Sequence, residues 1–199
     1  LKNNQKAIAD FTKAIELDKD NPERWYLRGL TYKDYLNDEK NALADFKRAL
    51  ELDSTFVDAI NDRANIFVDQ KKYDLAIKEY EKGIALKEID PSGAAYSYVN
   101  RAVQYVRLRE FDKALVDYDS AIVLQPENAE IYIHRAIFYL EYLKDNQRAI
   151  VDYTKAIELD KDNPERWYYR GHIYKYSLND EKNALADFKK TLELDSTYV

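Results

Sequence analysis

Two histidines and no cysteine bound the chemistry open to this chain. Neither His134 nor His172 has a set of neighbours resembling a hydrolytic triad or a zinc site. Glu130 and His134 stand at i and i+4, so a helix would place them on one face as half a metal site. They read more simply as an ordinary polar pair facing a groove. The acid pairs Asp18/Asp20 and Asp160/Asp162 fall at helix ends. A calcium loop needs alternating ligands, a Gly and a terminal Glu, and these turns lack the Gly. No Gly-rich phosphate loop follows a strand. The sequence therefore points to no catalytic residue, metal or cofactor, and an enzyme is not expected. Without Cys there is also no disulfide, thiolate ligand or cysteine nucleophile.

Composition narrows the partners. The 199 residues carry 31 basic and 37 acidic side chains, a formal charge of −6. Such a chain is poorly suited to tracking nucleic acid or an anionic membrane. No apolar run approaches the roughly 18 residues of a membrane span. The start is not signal-like, and the absence of any Met suggests a fragment of something longer. The compartment is left open, with a cytoplasmic one favoured. Only 4 Gly and 4 Pro interrupt the chain, below the usual ~7% and ~5%. With 34% charged and 46% hydrophobic residues, this predicts all-α structure. The 18 Tyr, 7 Phe and 2 Trp must occupy packed contacts or form sticky surface.

The elements that would position these rings repeat. Residues 1–57 match residues 143–199 with 12 mismatches. A shorter period lies within that offset. The Ala opening each Ala-hydrophobic-x-acid-aromatic block falls at Ala7, Ala42, Ala76, Ala114, Ala149 and Ala184. Spacings of 34 to 38 residues predict an array in which each unit buries its apolar face on its neighbours. Each unit holds two amphipathic stretches. Trp25, Gly29 and Tyr32 share one helix face, as do Ala42, Phe46, Ala49 and Leu50. Asn21-Pro22-Glu23 reads as a helix start, and Leu36-Asn37-Asp38 as the break between helices.

These columns resemble the tetratricopeptide repeat, whose signature runs W-x2-L-G-x2-Y, A-x3-F, then P. Trp25, Gly29, Tyr32, Ala42, Phe46 and Ala49 fall on it. So do Ile60, Ala64, Phe67, Ala76, Tyr80 and Gly83 in the next unit. Tyr98, Ala102, Tyr105, Ala114, Tyr118, Ala121 and Pro126 follow, then Tyr132, Ala136, Tyr139, Ala149, Tyr153 and Ala156. Trp167, Gly171, Tyr174, Ala184, Phe188 and Thr191 complete the set. The resemblance implies a right-handed α-solenoid of about 11 helices. Its parts are an orphan second helix over 1–21 and repeats over 22–56, 57–94, 95–128, 129–163 and 164–199. The second repeat carries an insertion at its end, where Asp90-Pro91-Ser92-Gly93 reads as a turn.

The chain departs from the signature in a patterned way. Arg replaces the signature Leu at Arg28, Arg63, Arg101, Arg135 and Arg170. An acid precedes the second-helix ring at Asp45, Glu79, Asp117, Asp152 and Asp187. A repeated Arg–carboxylate ladder between helices is predicted; a free basic row for an acidic ligand is the alternative.

In the family that this pattern resembles, first helices line a groove that takes an extended peptide or a partner helix. The corresponding positions are Tyr26, Leu30, Asn61, Asn65, Asn100, Val103, Ile133, His134, Ile137, Tyr168, Tyr169, His172 and Tyr176. Amides can exchange hydrogen bonds with a peptide backbone, and aromatic rings anchor interfaces. Tyr168, Tyr169 and Tyr176 are expected to form an exposed patch beside Ile133 and Ile137. Some family members clamp the anionic C-terminus of chaperones. Asn65 and Asn100 fit that clamp, but Asn61, Glu130 and His134 stand where it needs basic residues. A neutral or basic partner with apolar side chains is expected instead, with no nucleic acid or membrane.

Residues 22–35 and 164–177 differ at five positions, three of them in the groove set, whereas 36–57 and 178–199 differ at three. The scaffold stayed while the groove changed. The alternative to a peptide-binding scaffold is a structural spacer or assembly arm, contacting through its ends or convex face. End-to-end self-association is possible on either reading.

Overall fold

The structure is a computed structural model that describes residues 2–198. Its helices are α1 (Lys2–Leu17), α2 (Pro22–Leu36), α3 (Glu39–Leu52), α4 (Val57–Asp69), α5 (Tyr73–Ala85), α6 (Pro91–Arg107), α7 (Phe111–Leu124), α8 (Ala129–Phe138), α9 (Asn146–Leu159), α10 (Pro164–Ser177) and α11 (Glu181–Leu194). A five-residue π turn, Tyr139–Leu143, extends α8. No strand occurs among the described residues. The chain is all-α and folds as a helical-repeat solenoid. It divides into two compact units, Leu1–Gln104 and Tyr105–Val199. In the first, α1 to α5 pack in chain order; in the second, α7 to α11 do.

Each hairpin is closed by the same device. One non-Gly residue adopts the left-handed conformation between the paired helices: Asn37, Lys71, Arg109, Lys144 and Asn179, with φ from 50° to 60°. Just beyond it, a backbone N–H returns to the carbonyl of the signature ring. Asp38 bonds to Tyr32 at 2.9 Å, Lys72 to Phe67 at 2.8 Å and Glu110 to Tyr105 at 2.8 Å. Asp145 bonds likewise to Tyr139 at 2.9 Å and Asp180 to Tyr174 at 2.8 Å. These bonds satisfy carbonyls that a helix end leaves open. Asp38, Asp145 and Asp180 then accept backbone N–H groups and start the second helices. A left-handed residue with a Cβ costs about 1–2 kcal/mol, and Gly gives back about 0.5–1 kcal/mol in entropy. Lys71→Gly and Lys144→Gly are therefore each expected to raise stability by roughly 0.5–1 kcal/mol, read from urea unfolding. Equal or lower stability would show that the turn carries no such strain.

Asp90-Pro91-Ser92-Gly93 is not a turn. It begins α6, which starts four residues earlier than position 95. The Asp90 carboxylate accepts the Gly93 N–H at 2.9 Å, and Pro91 occupies the first turn, where a missing N–H is harmless. The longer spacing is thus taken up partly by an added helical turn.

Small residues let the paired helices close. A Cβ at Gly29 would lie 2.7 Å from the Phe46 ring, and one at Gly171 would lie 3.0 Å from Asp187 Cβ. The predicted ladder is seen at Arg28–Asp45, Arg63–Glu79, Arg135–Asp152 and Arg170–Asp187. Arg28 grips Asp45 through two bonds of 2.7 and 2.8 Å. Arg135 holds Asp152 at 2.8 and 2.7 Å, and Arg170 holds Asp187 at 2.9 and 2.8 Å. Arg63 places Nε and Nη2 on one Glu79 oxygen. The free nitrogen of Arg28 reaches Thr12 on α1, and that of Arg170 reaches Thr154 on α9. Each of these two guanidiniums therefore ties three helices. All four acids are buried.

Candidate functional site

In the first unit, the sequence-predicted positions are largely committed to the fold. Tyr26 on α2 donates its hydroxyl to Asp62 on α4 at 2.9 Å. Lys33 meets the other Asp62 oxygen at 2.5 Å and lies 3.4 Å from Asp34. Burial, with Asp62 close by, pushes the Tyr26 phenol well above its ordinary value. Burial works against the Lys33 charge, but the Asp62 bond more than offsets it and the ammonium is held protonated. Leu30 packs against the buried cluster of Ala42, Phe46 and Ile66.

Asn61 is a correction. It is buried rather than presented to a ligand. Its amide donates to the Gly93 carbonyl at 3.1 Å and accepts the Ser97 hydroxyl at 2.6 Å. A buried amide satisfied on both sides fixes α4 to α6. Asn65 accepts the Tyr80 hydroxyl at 2.7 Å, with its nitrogen 3.4 Å from the Tyr96 hydroxyl. Asn100 donates to the Tyr96 carbonyl at 3.0 Å. Asn65, Asn100 and Val103 remain half-buried. Tyr96 is the exposed ring among them.

The second unit presents a more open surface. Ile133 is a second correction: it packs against buried residues on both sides, including Ala136 and Tyr153 in one cluster and Tyr132 and Ala156 in another. Ile137 is exposed. Glu130 bonds Arg166 at 2.7 Å through one carboxylate oxygen. No cluster of three metal-ligating side chains occurs among the described residues. Desolvation pulls the His134 imidazole below its ordinary pKa, against the opposing charge of Glu130.

The aromatic row on α10 parts in two directions. Tyr169, 47% exposed, stacks toward Tyr153 of α9 with centroids 6.3 Å apart. With Tyr168 and His172 it walls an open cavity of about 730 Å³ that Leu140, Glu141 and Lys144 also line. Tyr176, 63% exposed, instead packs at a tilt on His172, with centroids 4.4 Å apart. It lines a smaller cavity of about 250 Å³ with Phe188, Leu192 and Tyr198. Tyr168 lies between the two, half-buried against Phe188 and Tyr198. The expected single patch of Tyr168, Tyr169 and Tyr176 beside Ile133 and Ile137 is thus divided.

A tetratricopeptide repeat model matches residues 1–21, 22–56, 57–90 and 164–198, more than half of the chain, and a TPR repeat model matches residues 142–176. The chain belongs to the tetratricopeptide repeat family. No curated protein sequence matches it. Among solved structures, a tetratricopeptide repeat fold is shared with YrrB, described as a TPR protein with an unusual peptide-binding site. The two are 23% identical over 94% of this chain and 93% of YrrB, with a TM-score of 0.59. MamA is 21% identical over 84% of this chain and 94% of its own, with a TM-score of 0.67. PilW, a type IV pilus biogenesis factor, is 16% identical over all of this chain and 88% of its own, with a TM-score of 0.76. At these identities the likeness is one of fold. The tetratricopeptide columns explain the core; the arginines that the sequence reading missed lie between them. Arg24 and Arg166 each donate to a carbonyl at the end of the preceding second helix, Ala14 at 2.7 Å and Ala156 at 3.3 Å. Their position just after Pro-Glu was the available signal.

Proposed function

We propose that the chain is a protein-interaction scaffold whose first helices receive a peptide or partner helix, with the strongest contact at α8–α10. The observation that carries this reading is the 730 Å³ cavity walled by Tyr168, Tyr169 and His172. A cavity of this size takes a large side chain, and rings supply contact area at low entropic cost. Polar groups at its rim, Glu141 and Lys144, would fix orientation. The partner is a polypeptide with apolar side chains, neutral or basic in charge. The peptide-binding site described for YrrB supports a peptide as one form of it.

A double Tyr169→Ala, His172→Ala variant tests the reading. Peptides selected from a random displayed library against the intact chain would serve as ligands. The variant is expected to lose at least about tenfold in affinity, roughly 1.4 kcal/mol, with little change in its thermal transition. Unchanged affinity would remove the cavity from the site, and equal loss of folding and binding would make the rings core residues. The second reading, an assembly arm, draws on Val116 and Val123 of α7 and Val151 of α9, which are exposed on second helices.

A further inference from the structure

We propose that a cavity on α3–α5 binds a small aromatic acid, one whose planar ring carries an N–H donor. The repeats themselves supply the template. In the first repeat the Trp25 indole lies under two cations, the Arg28 guanidinium 5.0 Å and the Arg48 guanidinium 5.9 Å from its ring centre. Its Nε1–H donates to the Lys19 carbonyl at 3.0 Å. Trp167 repeats this with Arg170 at 5.2 Å and the Lys161 carbonyl at 3.0 Å. Tyr132 does so with Arg135 at 6.0 Å and, through its hydroxyl, the Pro126 carbonyl at 3.0 Å. Tyr98 lies under Arg101 at 5.6 Å.

The second repeat has Ile60 where the others have this ring. The surroundings of the ring are nevertheless kept. Arg63 and Lys82 stand in the places of Arg28 and Arg48. Residues 53–56 form the same turn as residues 18–21, which puts the Ser54 carbonyl in the place of the Lys19 carbonyl. Ile60 has no polar hydrogen to give it. Ser54, Ile60, Arg63 and Lys82, with Leu50 and Leu86, line a cavity of about 340 Å³. All lie within residues 50–86, in the interior of the array rather than at an end. A planar ring placed there gains the cation–π and hydrogen-bond contacts that the chain makes with its own rings.

The charge balance asks for an acid. In the first repeat Arg28 has Asp45 and Arg48 has Glu51. In the second, Ala85 replaces Glu51, and Arg63 and Lys82 share the single carboxylate of Glu79. The third nitrogen of Arg28 reaches Thr12, but Lys47 holds that place here. Among the described residues Arg63 Nη1 has no partner. One surplus positive charge and an open N–H group therefore border the cavity, and a carboxylate on the ring answers both.

Ligand-observed NMR titration of the intact chain with indole-3-acetate tests this. Saturable binding is expected below about 1 mM. Two analogues should each bind at least about fivefold more weakly: 1-methylindole-3-acetate, which cannot donate, and cyclohexylacetate, which has no π face. Ile60→Trp fills the cavity with the ring of the neighbouring repeats and should abolish binding, with the far-ultraviolet circular dichroism kept. Lys82→Gln alters a side chain that is 56% exposed, so it keeps the test open if position 60 rejects Trp; it should weaken binding about fivefold. Tyr169→Ala should leave binding unchanged, which separates this site from the cavity at α8–α10. No saturation to about 5 mM, binding indifferent to the changes at 60 and 82, equal affinity for all three acids, or loss with Tyr169→Ala would overturn the proposal.

Discussion

Phe138→Ala is expected to destabilise the second unit by about 3–5 kcal/mol, among the largest effects of any single truncation in the chain. The side chain is 1% exposed. Its ring stands 6.0 Å from Phe111, 5.6 Å from Tyr118 and 6.1 Å from both Tyr139 and Tyr142. Phe138 therefore joins α7, α8 and the π turn through one side chain. Truncation removes the transfer free energy of the ring and leaves a void that four other rings cannot fill without leaving their rotamers. Tyr142→Ala is the control: its ring touches the same cluster but is 50% exposed, so the loss should be much smaller. Denaturant unfolding monitored by far-ultraviolet circular dichroism measures both. Comparable losses would show that Phe138 is not the centre of the cluster.

The ladder supplies the second large effect. Asp152→Ala is expected to cost about 3 kcal/mol, because it leaves the part-buried Arg135 guanidinium only the exposed Asp119 as a partner. Asp152 is 2% exposed and accepts two charged bonds. Burial opposes the Arg135 charge, and the bonds to Asp152 and Asp119 outweigh it, so the guanidinium stays protonated. Removing both partners, as Arg135→Met with Asp152→Leu, should recover most of that loss, since an apolar pair of similar volume needs no compensation. The exposed pair Lys190–Glu193 sets the contrast; its removal should cost less than about 1 kcal/mol. A double-mutant cycle at 135 and 152 reads the coupling directly. Additive losses would mean that the rung is incidental.

These two sites differ in how far the sequence disclosed them. The rung was legible. An Arg one residue before each small residue and an acid one before each second-helix ring lie on facing helices once the hairpin is drawn, as Arg28 and Asp45 or Arg135 and Asp152 do. Phe138 was hidden, because it sits on no signature column; only the local π geometry after α8 and the Phe111 ring on α7 give it neighbours. Asn61 misled for a related reason. Helical periodicity places it on the outward face of α4, but its partners Gly93 and Ser97 lie more than 30 residues away, on a helix that begins one turn early. Asp-Pro-Ser-Gly can serve as a turn or as a capped helix start. Contact with α4 decides for the second: a Cβ at Gly93 would lie 2.6 Å from a Val57 methyl. The aromatic row on α10 was visible in sequence as a row. Its division between two cavities depends on which neighbouring helix each ring meets, and period alone cannot supply that.

The two halves of the duplication show how one scaffold carries two surfaces. Tyr169 replaces Leu27, His172 replaces Leu30 and Tyr176 replaces Asp34, while the turns, caps and Arg rungs around them stay the same. The substituted side chains reach solvent, so they change what the surface can hold at little expense to the core.

The proposed working surface is the set of first-helix faces. Hydrogen–deuterium exchange of the intact chain, with and without a peptide selected against it, tests this most directly. Exchange is expected to slow in α10 and around the π turn after α8, with the segments carrying exposed Val116, Val123 and Val151 unchanged. Protection centred on α7 and α9 instead, with α10 unaffected, would contradict it.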